Sequence, residues 1–360
     1  MSSYYSSNLR ILVAKIEKAP GTAVSKFDNE DFNVRIIDPV VTPMIETDNE
    51  ASKYATGDHG EDESIMGAQS ATIEFSVKMS SCPGDNVSKP AWWKFAEACG
   101  CKVKKYEAKD ASPAGYALQP KKSEDVSTMT IRVYDFPRGS KTPAACYTFA
   151  GCMGNMTMGA EGVGKPWTAA FSFTGKLVSI DEPEDNFVPE LLITDKTIAE
   201  KMLNYDLSFD GIGEADKSVS QKISSFLLDI GNEISPLIDQ ADPTGYAYYA
   251  VTKRSPRLSC DPLLNGKFAD MYGSWKNEKT FSVTLSPVSA SANGTAGFTL
   301  YLPKAQALTA AIVSREGLVN WELNLKALRN NGAEKIRDQE VTWELLVGKK
   351  SIEVETEEDN

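Results

Sequence analysis

The chain has 360 residues, with 50 Asp and Glu against 38 Lys and Arg, a net charge of −12 and a pI near 4.8. That balance argues against general nucleic-acid binding or an anionic membrane surface, because attraction to phosphate needs basic residues. One histidine, His59, no Walker, dinucleotide or calcium-loop spacing, and no carboxylate pair that stands out from the fifty argue for a non-enzyme without cofactor or metal.

Hydrophobic residues make up 41% of the chain and charged residues 24%, ordinary globular values, and 360 residues are enough for two cores. No apolar run approaches the roughly 18 residues of a membrane span, and the N-terminus lacks signal-peptide regions, so a soluble protein of a cytosol is expected. The six cysteines, Cys82, Cys99, Cys101, Cys146, Cys152 and Cys260, are too scattered for a disulfide scaffold. They read as buried thiols, since neither Cys99/Cys101 nor Cys146/Cys152 has zinc-knuckle spacing.

Residues 1–31 read as an N-terminal arm with one apolar strand, Leu9–Ile16. A first β domain is expected over 32–180. It opens with FNVRIIDPVVTPMIE, whose Pro39 and Pro43 suit an edge strand or a bend. A long polar loop, Thr47–Ser64, follows and contains Tyr54, Asp58, His59, Glu61 and Asp62; loops of this length are either functional or disordered. From Gly67, apolar Ala71, Ile73, Phe75, Val77 and Met79 alternate with polar neighbours, the period of a half-buried strand. Ser88 as cap, Pro90 in the first turn, apolar residues at helical spacing and Gly100 as a left-handed stop predict a short helix. Its adjacent Trp92 and Trp93 cannot both fill one small core, so one is expected to face another layer or another subunit.

After Lys109 the sequence reads as a loop ending at ALQP. Met129–Phe136 and Ala145–Gly151 read as strands joined by a Pro-Arg-Gly turn, and GAEGVG as a hairpin turn rather than a phosphate loop, because a strand follows it. On the last strand of this unit Ser172 and Thr174 oppose Phe171 and Phe173. DEPEDNFVP, 181–189, reads as a linker.

Beyond it, over 190–352, the chain repeats itself. KISSFLLDIGNEISPLID answers FNVRIIDPVVTPMIE, and KFADMYG answers KFAEACG. FTLYLP answers MTIRVYDFP, and LVNWELNLKAL with QEVTWELLVG answers the closing hairpin. Residues 190–221, with a predicted helix over DKTIAEKMLN, then correspond to the arm. Residues 353–360 form an acidic tail. The expected class is mainly β, two tandem sandwich or barrel units, each with one short packed helix.

The succession GAQSATIEFSVKM, PAWWKFAEACG, MTIRVYDF, CMGNMTMGAEG and FSFTGKL resembles the tail tube (major tail) proteins of long-tailed bacteriophages. ISSFLLDIGNEISPLID, YAYYAVTKRSPRLSCDP and NGAEKIRDQEVTWEL resemble segments of the same family, so the likeness covers most of the chain. It implies a β-sandwich unit whose inner sheet joins neighbours in rings, stacked around a channel through which DNA passes without specific binding. Other tail proteins would be partners, and the place would be the virion tail, assembled in the host cytoplasm. It implies no catalytic residue, cofactor, metal or membrane.

Two units per chain favour a three-chain ring imitating six-fold symmetry, with six chains and outward second units as the alternative. Within this reading Trp92, Trp93, Tyr54, Asp58, His59, Glu61 and Asp62 are candidates for contacts between copies. Ser172, Thr174, Glu340, Thr342 and Glu344 are candidates for the channel wall. The negative charge either lines that wall or lies outside for solubility. Alternatives are a specialised distal ring, or a carbohydrate-binding or adhesin-like sandwich with Trp92, Trp93, Trp167, Tyr246, Tyr248 and Tyr249 as a platform.

Overall fold

A computed structural model describes residues 5–28, 31, 34–48, 65–80, 88–106, 115–121, 127–140, 143–181, 199–212, 218–263, 268–288, 297–315, 317–329 and 342–347. Strands dominate, as expected for a mainly β chain. The first half holds β1 (Tyr5–Ile16), β2 (Ile36–Asp48), β3 (Ile65–Lys78), α1 (Trp93–Ala98), β4 (Cys101–Tyr106), β5 (Gly115–Pro120), β6 (Met129–Pro137), β7 (Ala145–Ala160) and β8 (Thr168–Asp181). The second holds β9 (Tyr205–Asp210), β10 (Ser218–Gln221), β11 (Phe226–Asp229), β12 (Asn232–Ile238), β13 (Tyr246–Arg254), β14 (Arg257–Cys260), α2 (Phe268–Lys276), β15 (Thr280–Pro287), β16 (Phe298–Arg315), β17 (Leu318–Ala327) and β18 (Glu344–Val347).

The strands pair antiparallel in one 16-stranded sheet, while β12 and β13 form a separate ribbon. Within the first half the neighbours run β1-β6-β7-β8-β3-β2. In the second they run β9-β15-β16-β17-β14-β11. Each helix lies in the chain between the fifth strand of that order and the second. The strand order therefore repeats, but FTLYLP starts β16 and occupies the place of β7; TFSVTLSP of β15 takes the place of MTIRVYDFP. The misplacement came from matching a composition that both strands share.

Local chemistry explains most boundaries. β2 lies at an edge, and its register slips between Ile37 and Val40 where Asp38 adopts φ 46 beside Pro39. In α1 the N-cap is Trp92, not Ser88, and Trp93 N donates to Pro90 O at 3.1 Å. Gly100 stops it at φ 73. The stretch after Gly100, partly read as loop, contains β4 and β5; alternating Lys, Val and Tyr carry too few apolar residues to announce a strand. The arm's strand is an integral part of the sheet, paired along β6. Ala199–Asn204 form bridges and bends instead of a helix, because Glu200 and Met202 bond across to Met79 and Lys165.

One apolar cluster runs through both halves, from Leu12, Phe75 and Phe171 to Phe209, Leu300 and Trp343. Trp92 and Trp93 are both buried in it. Trp92 touches Phe298 of the second half, ring centroids 6.3 Å apart, and Phe171 of the first at 6.4 Å. The other layer that the pair required is thus the chain's own second half, not another copy, and neither indole is an interface residue.

Candidate functional site

The halves meet along a seam of hydrogen-bonded strands. Phe226–Asp229 of β11 pair with Thr157–Ala160 of β7, so the first sheet continues into the second. Close approach requires glycine here: a Cβ on Gly159 would lie 2.2 Å from Phe226 O and 3.0 Å from Leu227 Cα. A second seam is made where β18 pairs with β16 on one side and β5 on the other.

At the lower end of the first seam Gly231, φ 61, turns the chain out of the sheet into the β12–β13 ribbon. Polar bonds hold its base. Asn155 Nδ2 donates to Asp229 Oδ1 at 2.9 Å, and Asn232 Nδ2 donates to Cys99 O at 2.8 Å and Gly154 O at 2.9 Å. Arg254 donates to Gly100 O at 2.8 Å, Asn232 Oδ1 at 3.0 Å and Lys121 O at 3.2 Å. The ribbon then lies across the first half, with Tyr246, Tyr249, Ile234 and Val251 on Met153. Lys176 pairs with Asp242 at 2.6 Å. Burial alone would raise the Asp242 carboxyl, but bonds from Lys176 and Thr244 outweigh it and hold it below the usual range. Tyr246 donates to Glu46, which with burial pushes its phenol up to about 12.

Among the described residues β1, β4 and β10 pair on one side only, and so do β2 and the far part of β16, the two edges that answer the internal seam. β2 pairs only with β3. β16 carries β15 as far as Gln306, and beyond it only β17 pairs, so Ala307–Arg315 present an unpaired edge. A register shift marks the change in both halves, between Ala150 and Met153 in β7 and between Ala307 and Thr309 in β16. The stretch of β7 past its shift is where β11 docks; the matching stretch of β16 has β17 on one side and, among the described residues, no strand on the other. Exposed Val40, Met44 and Ile45 lie on β2, and exposed Leu308, Ile312, Leu318 and Val319 on the β16–β17 hairpin.

The sheet face opposite the core is polar and continuous across the seam. Ser172 sits between Glu74 and Asn155, and Thr174 beside Thr72, so both lie on this face as expected. Glu74, Asp229 and Glu322 share it with Lys78, Arg257 and Lys326, a mixture of signs rather than a carboxylate lining. A trough of about 620 Å³ crosses it, lined by Ser76, Thr157, Leu227, Ser259, Glu322 and Arg315. Arg315 bonds to Ser224 and Asp261 at its rim; burial would raise Asp261, but bonds from Ser224 and Ser225 and the guanidinium hold it low.

Other candidate residues are placed differently. Glu344 is 1% exposed, in β18 between β16 and β5, so it cannot line a channel. Thr342 is half-buried with its hydroxyl covered. Glu344 opens the strand that closes the second seam and Thr342 lies just before it, which the polar alternation did not reveal. Glu340 and the loop residues Tyr54, Asp58, His59, Glu61 and Asp62 lie outside the described residues. Trp92, Trp93, Trp167, Tyr246 and Tyr249 are buried, so they form no surface platform. Cys99, Cys101, Cys146, Cys152 and Cys260 are buried thiols, and burial pushes Cys101 and Cys260 up to about 12. No helix among the described residues is long and apolar enough to cross a membrane.

No protein-family model matches the chain, and no curated protein matches it either.

Proposed function

We propose that this chain is a structural subunit of a bacteriophage tail tube, closing with copies of itself into rings that stack around a channel for DNA. The observation that carries this reading is the β11–β7 seam. It joins one half of the chain to the next by strand pairing, and the same two surfaces recur unpaired at the ends, β2 answering β11 and the far part of β16 answering β7. An unpaired edge is a template for another chain. Pairing β2 of one copy with β16 of the next repeats the internal seam and satisfies both edges.

Each chain supplies two quasi-equivalent units, so three chains supply the six-unit ring, with β2 and β16 edges meeting at three places. The polar face, bearing Ser172 and Thr174, turns to the channel, where small hydroxyls and mixed charges offer DNA no deep electrostatic trap. Other tail proteins meet the ends of the stack. Assembly takes place in the host cytoplasm, and a distal ring is the variant of the same architecture.

Native mass spectrometry and negative-stain microscopy of the purified chain test this. Three-chain rings or tubes support it. A hexamer with the second halves outside overturns the stoichiometry, and a monodisperse monomer under tube-forming conditions overturns the assembly itself.

A further inference from the structure

The two helices come from equivalent places in the repeat, and their ends meet different surroundings. KFAEACG ends α1 and Phe268–Gly273 of KFADMYG lie within α2, which sets Cys99 against Tyr272 and Gly100 against Gly273. Cys99 is fully buried and its carbonyl accepts from Asn232. A Cβ on Gly100 would strike Arg254, 2.5 Å away, and lie 3.7 Å from Val251. All three partners belong to the base of the β12–β13 ribbon. On α2 the matching surface is open: Tyr272 is 44% exposed, and a Cβ on Gly273 would meet nothing within 4 Å.

The strand beside each helix shows the same contrast. In β7 the register shift falls at Gly151 and Cys152, and a Cβ on Gly151 would sit 2.8 Å from Tyr248 Cα of the ribbon. In β16 it falls at Leu308, which is 41% exposed. Trp275 donates its indole N–H to Leu308 O at 3.4 Å and packs edge-on against Tyr272, centroids 5.8 Å apart. Tyr272, Trp275 and Leu308 thus make one aromatic and aliphatic patch on the second half, where the first half carries a ribbon.

We infer that this patch is the seat of the β2–β3 ribbon of a neighbouring copy, laid over α2 and β16 as β12–β13 is laid over α1 and β7. The inference rests on the ring reading and deepens it. The occupant follows from continuity with the seam. A β2 strand paired to the far edge of β16 carries its hairpin past Leu308, just as β11 carries β12–β13 past Gly151. The incoming residues are of matching character, since Pro43, Met44 and Ile45 sit on the distal part of β2 and the last two are exposed. One half of the chain thus brings its own cover, and the other borrows it.

The test uses the full chain in two labels. A photo-crosslinking amino acid at position 272 of one population is mixed with nitrogen-15-labelled wild type before ring assembly, and crosslinked peptides are mapped by mass. Crosslinks to residues 40–48 or 65–70 of the other copy are expected. In parallel, iodide quenching reads Trp275, because Trp92, Trp93, Trp167, Trp321 and Trp343 are all buried; quenching present in the protomer should be lost in the ring. Tyr272→Lys, on an exposed site, should keep the protomer's melting temperature and lose ring formation. Rings in which Trp275 quenches as in the protomer, or in which position 272 crosslinks elsewhere, overturn the inference and leave the ring reading intact. Absence of any ring overturns both.

Discussion

Gly159→Ala probes the internal seam where nothing can yield. The added methyl would lie 2.2 Å from Phe226 O and 3.0 Å from Leu227 Cα, both backbone atoms of β11, so the strands must separate by about an ångström. Overpacking of this kind costs about 1–3 kcal/mol. Separation also weakens the four residue pairs from Phe226↔Ala160 to Asp229↔Thr157, and losing one or two of their ladder bonds, at about 1 kcal/mol each, brings the total to about 2–5 kcal/mol. Gly162→Ala in the following turn is the control: its Cβ meets only Lys165 Cγ at 3.5 Å, an ordinary contact with a flexible side chain. Urea unfolding with linear extrapolation measures both variants, and amide exchange at Leu228 and Asp229 shows where the loss falls. A Gly159→Ala protein within about 0.5 kcal/mol of wild type, the scale of an ordinary surface substitution, would refute the seam's geometry.

Trp92→Ala and Trp93→Ala should each cost about 3–5 kcal/mol in urea unfolding, because both indoles are fully buried; a variant that folds normally but assembles poorly would return one indole to an interface. Bonds from Lys176 and Thr244 hold Asp242, and bonds from Ser224 and Ser225 with the Arg315 guanidinium hold Asp261, below the ordinary carboxylate range, so the unfolded chain binds more protons as pH falls. Their stabilisation is complete above the ordinary carboxylate range and lost as pH falls through the lower folded range, and Asp242→Asn should flatten this acid limb in melting curves taken from about pH 5 to 2; an unchanged limb would show that the Lys176 pair does not carry it. At pH 8 the five buried cysteines should resist a thiol reagent in the native protein and react on unfolding, since burial raises each pKa; rapid titration of more than Cys82 would contradict their burial. Glu344→Lys should give misfolded protein, judged by solubility and circular dichroism, whereas Glu74→Lys and Glu322→Lys on the polar face should fold as wild type; a soluble, folded Glu344→Lys chain would contradict the closing role of β18.

Period-two alternation made β3, β6, β7 and β8 legible in the sequence, because one face of each meets the core and the other does not. Gly100 was legible as a helix stop because few other residues adopt a positive φ, and β2 as an edge or bent strand because Pro39 and Pro43 lack a ladder donor, whereas the positive φ of Asp38 was not foreseen. What the sequence hid was long-range. β4 and β5 carry mixed patterns and join the rest of the sheet through β18, which was read as part of a closing hairpin but pairs with β16 and β5 instead. Trp92 and Trp93 seemed too many for one small core because the continuity of that core depends on the seam. Glu344 read as an outward position for the same reason: strand alternation tells which residues share a face, but not whether another strand closes over it. That Ser172 and Thr174 share the polar face was legible from alternation, whereas the ribbon laid over the neighbouring Met153 and Lys176 on that face was not.

The seam inside the chain alters the arithmetic of joining. Every association between separate molecules forfeits translational and rotational freedom worth about 4–15 kcal/mol, whatever the contacts formed. In a three-chain ring half of the six joints are made during folding, as β11 meets β7 at the high local concentration that a covalent tether imposes. Three molecules then need two concentration-dependent encounters where six separate units would need five, the last joint closing within the assembly in either case. Such a ring can close at dilutions where six separate units of equal contact strength would stay apart, and it reopens only at the joints between molecules.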